Sequence, residues 1–296
     1  MSVSTNNKKI DEFLTRGVEN IYPNLKFVEK RLKEGKRLSI YLGIDPTGPT
    51  LHLGHAIILK KLKEFQSLGH KVILLIGDFT ATIGDPDKLS ARKTLTKKEV
   101  LQNAKLYKKQ VSTFLRFNGI NKAEIKYNSK WLSKMKFKEV LDLSSKMTVD
   151  QMLKRDMFKT RAKENKPIYI HEFLYPLMQG YDSVALDIDG EIGGNDQTFN
   201  MLTGRTLMKQ IKNKDKFVLA VKLLEDREGN KMGKTEGNMV ALNDSSQEMF
   251  GKIMSWTDEM ILSAFELCTY LSVSDIEKIK QGLDKGLENP RDIKMH

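Results

Sequence analysis

The sequence predicts an α/β fold built on a doubly wound parallel sheet, and three observations lead there. A strand-like segment at 38–44, LSIYLGI, is followed by a helical pattern over 51–68 and then by KVILLIGD. That last segment is nearly all apolar, as expected of a strand covered on both faces of a parallel sheet. The strand–helix–strand order predicts a right-handed crossover. Hydrophobic residues make up 40% and charged residues 30% of the 296, the balance of a globular protein. The length accommodates one large domain and a smaller one.

Residues 10–35 read as helical, with Ile10, Phe13, Leu14 and Val18 on one face. In the helix over 51–68, Ile58, Leu62 and Phe65 keep helical spacing. Thr50 is its expected N-cap, and Gly69 sits where a C-terminal glycine belongs. Residues 95–117 and 132–165 read as charged helices. A strand is expected over 182–188, a helix over 196–207 after a glycine turn, a short strand at FVLAV (217–221), and a loop over 229–238. From 245 onward the pattern is helical.

The net charge of +12 fits a polyanionic partner, and equally a lysine-coated surface. With a single cysteine, Cys268, the chain can form neither an intramolecular disulfide nor a cysteine metal cluster, and that residue reads as a small buried apolar group. The polar start, MSVSTNNKKIDEF, lacks the apolar core of a secretory signal. No apolar run reaches the roughly 18 residues of a membrane span. The cytoplasm is the expected compartment.

Residues 41–55, YLGIDPTGPTLHLGH, carry the first chemistry. A strand ends, an Asp-Pro-Thr-Gly-Pro turn follows, and a helix opens on His52-Leu53-Gly54-His55. Ligands of open α/β sheets bind at the carboxyl ends of strands, and a helix N-terminus there suits phosphate. His52 and His55, three apart, share one face. Gly54 leaves room for a ribose or purine against the backbone. The stretch is no P-loop, because GxxxxGK[ST] is absent, and no zinc site, because a third ligand and HExxH spacing are absent. Farther along, Tyr175, Gln179 and Asp182 stand at i, i+4 and i+7, one face of a helix. His70 and His171 read as structural.

Four motifs in order resemble those of the class I aminoacyl-tRNA synthetases, and among them the bacterial-type tyrosyl-tRNA synthetases. HLGH (52–55) resembles the class signature HIGH, and KMGKT (231–235) resembles the KMSKS loop. YPLMQGYD (175–182) resembles the tyrosine-pocket motif, and GGNDQ (193–197) resembles the ribose-binding turn. The resemblance is colinear from about residue 10 to the end.

It implies a Rossmann-like catalytic domain over 1–242, with a dimerisation insert at roughly 118–200, and a helical domain over 243–296. It implies a tyrosine–tRNA ligase: ATP, with its bound Mg2+, activates L-tyrosine to tyrosyl-adenylate and pyrophosphate, and the tyrosyl group passes to tRNA(Tyr). No protein-bound metal is expected. The nucleophile is already a carboxylate, so the protein supplies positioning and charge stabilisation rather than a base.

By the same resemblance Thr47, His52, His55, Lys231 and Lys234 act on the phosphates. Tyr41, Asp85, Tyr175, Gln179, Asp182 and Gln197 bind tyrosine, Tyr41 and Asp182 through its phenol hydroxyl. Gly43, Asp45, Gly54, Gly194 and Asp196, with Lys234, bind ATP. Gly233 departs from the family's serine. Lys88, Arg92 and Lys93 correspond to a basic loop without aligning cleanly. The family's C-terminal S4-like RNA-binding domain is expected to be absent, since the chain ends at NPRDIKMH in a helix-rich region. The competing expectations are a tryptophanyl-tRNA synthetase and a catalytically silent RNA-binding protein on the same scaffold. The second contact that a phenol hydroxyl offers, and an indole N–H lacks, argues against the former.

Overall fold

The computed structural model describes residues 2–86, 95–225 and 239–295. The chain opens with helix α1 (Asn7–Thr15), strand β1 (Val18–Tyr22) and helix α2 (Leu25–Lys33). The single helix expected over 10–35 is therefore broken by a strand. Gly17 takes φ +64°, closing α1, and Pro23 follows a cis peptide after Tyr22. Between them VENIY pairs antiparallel with the last strand of the sheet, gaining backbone hydrogen bonds that helical spacing alone did not reveal.

Then come β2 (Ser39–Ile44), α3 (Leu53–Ser67), β3 (Lys71–Ile76), the short α4 (Thr80–Ile83), α5 (Lys97–Val111) and β4 (Glu124–Tyr127). Four helices follow: α6 (Ser129–Leu132), α7 (Phe137–Ser144), α8 (Val149–Met152) and α9 (Asp156–Lys163). The long α10 (Ile170–Leu186), β5 (Gly190–Gly194), α11 (Thr198–Lys212) and β6 (Phe217–Val221) complete the sheet region. The remainder is helical: α12 (Ser246–Met254), α13 (Met260–Cys268), α14 (Val273–Asp284) and α15 (Pro290–Met295).

The strand expected over 182–188 is the last turn of α10. Val184, Leu186 and Ile188 alternate, which mimics a strand, but α10 runs on through Leu186 until Asp187 turns left-handed at φ +48°. The true strand starts at Gly190. Likewise α3 is capped by His52 rather than Thr50.

The sheet order is β1-β6-β5-β2-β3-β4, parallel throughout except for the edge strand β1. The chain moves from β2 outward to β3 and β4, then returns to the other side of β2 for β5 and β6. The order thus reverses between β2 and β5, and the crevice at their carboxyl ends is the place where such sheets bind ligands. Two strands of the sheet, β4 and β5, lie inside the 118–200 range, so the stretch that adds helices and no strand runs from 128 to 189.

Phe13, Leu32, Ile40, Leu42, Leu59, Phe65, Leu74, Phe217 and Leu219 belong to the main core between sheet and helices. Burial of this kind supplies most of the folding free energy, about 25 cal/mol per Å2 of apolar surface. No helix among the described residues is long and apolar enough to cross a membrane. Cys268 is half-buried, and its surroundings push the thiol pKa up to about 11.

Candidate active site

The crevice is lined first by β2. Tyr41 is fully buried, and its hydroxyl lies 3.0 Å from Ser183 Oγ on α10. Burial, with Glu191 and Asp182 nearby, holds the phenol pKa well above 10, so this hydroxyl keeps its proton. Directly after Ile44, the buried last residue of β2, Asp45 stands at the turn. Its Oδ1 accepts from Thr80 Oγ1 at 2.7 Å and its Oδ2 from the Tyr175 hydroxyl at 2.8 Å. Gly77 makes that approach possible: a Cβ there would lie 1.9 Å from Asp45 Oδ1.

Tyr175, Gln179 and Asp182 all lie on α10. Asp182 is buried and accepts from Trp131 Nε1 at 2.7 Å and from Asn128 Nδ2 at 3.3 Å. Burial pushes its carboxyl well above the usual range, and those two donors pull it part of the way back. Tyr41 and Asp182 are not bonded to each other. Both are buried, and Asp182 is near enough to raise the Tyr41 pKa. Gln179 Nε2 lies 3.5 Å from Glu191 Oε1.

At the other end, Asp85 is ion-paired with Arg155 at 2.6 Å, and Gln197 Nε2 lies 3.5 Å from its second oxygen. Gln197 is fixed in turn by Asn200 Nδ2 at 3.0 Å. Asp196 and Gln197 form a 3-10 turn directly after β5, with Gly194 as its cap. A side chain on Gly194 would meet Asp196 Oδ1 at 2.6 Å and Leu223 Cδ2 at 2.8 Å, so the glycine lets turn and strand close together.

The HLGH segment forms the start of α3. The His52 and His55 rings sit edge to face at 4.1 Å, and His55 Nδ1 accepts the His52 backbone N–H at 3.3 Å. Gly54 lies in this first turn, and Thr47 donates its N–H to the Asp45 carbonyl at 2.8 Å. Gly43 is exposed on β2. One contact was not foreseen. His52 bridges antiparallel to Ala241, Leu53 N donates to the Val240 carbonyl at 3.0 Å, and Leu242 N donates to the Leu51 carbonyl at 2.8 Å. The chain that leaves the KMGKT region is thereby stitched to the first signature. Lys231, Gly233 and Lys234, with Lys88, Arg92 and Lys93, lie outside the described residues.

Thr80, Asn128, Trp131, Ser183, Glu191, Lys216 and Arg155 belong to this crevice and were missed by sequence reasoning. Only Ser183, next to Asp182, carried a signal. The two histidines read as structural differ in setting. His70 is wholly buried and stacked on Phe65 at 4.4 Å, whereas His171 is exposed and stacked on Tyr169.

Residues 33–295 match the family model of class I tRNA synthetases (W and Y). The chain belongs to that family. This synthetase is 50% identical over 289 residues to a tyrosine–tRNA ligase of Carboxydothermus hydrogenoformans, covering 96% of this chain and 70% of the relative. It is 46% identical over 284 residues to the tyrosine–tRNA ligase of Haemophilus ducreyi, covering 95% and 70%. Among solved structures, the tyrosyl-tRNA synthetase of Archaeoglobus fulgidus complexed with L-tyrosine superposes with a TM-score of 0.76 at 21% identity, covering 98% of this chain and 94% of that one. The C-terminally truncated mitochondrial enzyme of Aspergillus nidulans gives 0.76 at 23% identity, covering 97% and 85%. Those structural likenesses concern the fold.

Proposed function

We infer that this synthetase is a tyrosine–tRNA ligase. The observation that carries this is the buried end of the crevice. There a protonated phenol, Tyr41, and a carboxyl group, Asp182, are both buried, near enough that Asp182 raises the phenol pKa. A phenol hydroxyl accepts from one and donates to the other; a phenylalanine ring would leave both unpaired, and an indole N–H would satisfy only the acceptor. Identity of 44–50% to relatives named tyrosine–tRNA ligases supports the same reading over the tryptophanyl alternative and over a silent scaffold.

The remaining residues take complementary roles. Asp85, Tyr175, Gln179 and Gln197 surround the amino-acid backbone of the substrate. Gly43, Asp45, Gly54, Gly194 and Asp196 receive the adenosine of ATP, which enters with its own Mg2+. Thr47, His52 and His55, joined by Lys231 and Lys234, stabilise the phosphates. A tyrosine carboxylate oxygen bonds to the α-phosphorus while the bond to the pyrophosphate oxygen breaks, and no proton moves. The tyrosyl group then passes to the 3′-end of tRNA(Tyr) in the cytosol. The catalytic domain spans 1–242, the inserted helices 128–189 and the helical domain 243–296. Exposed Phe137, Leu141, Val149 and Ile170 on the inserted helices support a homodimer.

ATP–pyrophosphate exchange with tyrosine, phenylalanine, tryptophan or no amino acid tests this. Exchange with tyrosine alone is the expected result. Folded protein that exchanges with none of them would return the silent RNA-binding scaffold to first place.

A further inference from the structure

Beneath Tyr41 lies a buried ion pair that the reaction itself does not use. Lys216, the residue before β6, has no solvent exposure, and Glu191 on β5 is 2% exposed. The Lys216 ammonium contacts Glu191 Oε2, donates to Ser183 Oγ at 2.7 Å and donates to the Met201 carbonyl at 3.1 Å. Its three protons therefore meet three acceptors. The space is purpose-made: a Cβ on Gly204 would lie 2.6 Å from Lys216 Nζ and 2.7 Å from Ser183 Oγ.

The pair fixes the direction of a hydrogen-bond chain. Ser183 Oγ accepts from the ammonium, so its single proton is left to donate. Two acceptors are in reach, Tyr41 Oη at 3.0 Å and Glu191 Oε2 at 3.4 Å, the second shared with the ammonium. Tyr41 is the nearer of the two, and on that distance the serine proton is assigned to it. A phenol oxygen that accepts from below turns its own hydrogen away, into the crevice. Without Lys216 the bare Glu191 carboxylate would be the strongest acceptor nearby and would draw the Tyr41 proton inward.

We propose that Lys216 and Glu191 are positioning residues for amino-acid selection: through Ser183 they hold Tyr41 as a hydrogen-bond donor, leaving Asp182 as the acceptor. This rests on the tyrosine–tRNA ligase reading. The preferred ring substituent is then one that both accepts and donates. A hydroxyl does, whereas an aromatic amine donates well and accepts poorly.

The test compares ATP–pyrophosphate exchange with L-tyrosine and with 4-amino-L-phenylalanine, in the full chain, for wild type, Ser183→Ala and the double variant Lys216→Met/Glu191→Gln. Losing one oriented hydrogen bond lowers kcat/KM for tyrosine by about tenfold. Tyr41, now free to turn, accepts from the amine, so the preference for tyrosine over the amine falls by a similar factor in both variants. Equal losses on both substrates would mean that the three residues only pack the pocket floor, and would overturn the inference, as would an unchanged preference. If one variant does not fold, the other still reads the ratio. Wild-type protein inactive with tyrosine would sink the ligase reading along with this one; an active wild type with an unmoved ratio sinks this one alone.

Discussion

His70 shows how much one buried side chain can set. Its Nδ1 accepts the Leu38 backbone N–H at 3.2 Å, and burial, with Arg37 nearby, lowers its pKa from 6.5 to about 4. The unfolded chain takes up this proton below 6.5, while the folded chain resists it until about 4. Its contribution to stability is therefore complete above 6.5 and is lost as pH falls toward 4. His70→Asn keeps an acceptor and cannot titrate, so urea midpoints measured at pH 7 and at pH 4.5 should lie closer together than in wild type. Gly77 is the second such residue. An alanine there places a carbon 1.9 Å from Asp45 Oδ1 and 2.4 Å from Thr80 Oγ1, so Asp45 must leave the Tyr175 hydroxyl. Gly77→Ala should cost about 1–3 kcal/mol in thermal or urea unfolding, with a loss of tyrosine-dependent exchange larger than that destabilisation explains. Exchange at the wild-type rate would show that Asp45 is not needed where it stands. Tyr175, Gln179 and Asp182 were legible as one helical face from their i, i+4, i+7 spacing, whereas Tyr41 was picked out by the family resemblance alone. Lys216 and Glu191 were not, since a lysine flanking a strand and a glutamate after a glycine both read as surface residues.

Among the elements, the bridge between 240–242 and the start of α3 couples the two signatures. Backbone hydrogen bonds hold Val240–Leu242, just past the KMGKT region, against the start of α3. Leu242→Pro deletes the N–H that reaches the Leu51 carbonyl. The tyrosine pocket lies on other elements, so tyrosine affinity by fluorescence titration should stay within about twofold, whereas the exchange rate should fall by about tenfold, the loss of one positioning hydrogen bond. A loss confined to tyrosine binding would disconnect the bridge from phosphate handling. Strand β1 illustrates the limit of local reading: Gly17 and Pro23 punctuate the sequence there, yet only β6 makes VENIY a strand. The 182–188 error is the reverse case, where alternation in a helix's last turn imitates a strand.

At the scale of the whole molecule, the inserted helices leave Phe137 78% and Ile170 82% exposed, beside Leu141 and Val149. Apolar side chains so open to water fit a surface that a second copy covers. The protein should sediment at about twice its 33.9 kDa mass, and Phe137→Glu should sediment as a monomer at micromolar concentration, because a carboxylate is costly to bury without a partner. A wild-type monomer would remove the dimer from the proposal.

The sequence by itself determined the fold class, most of the elements and the order of the four motifs, because each rests on short-range periodicity, turn residues and fixed spacing. Tertiary structure alone decided the edge strand β1, the seam joining 240–242 to HLGH, and the Lys216–Glu191–Ser183 floor under Tyr41. Each of these joins segments far apart in the chain, and a buried polar group is recognisable only when the partner that satisfies it is in view.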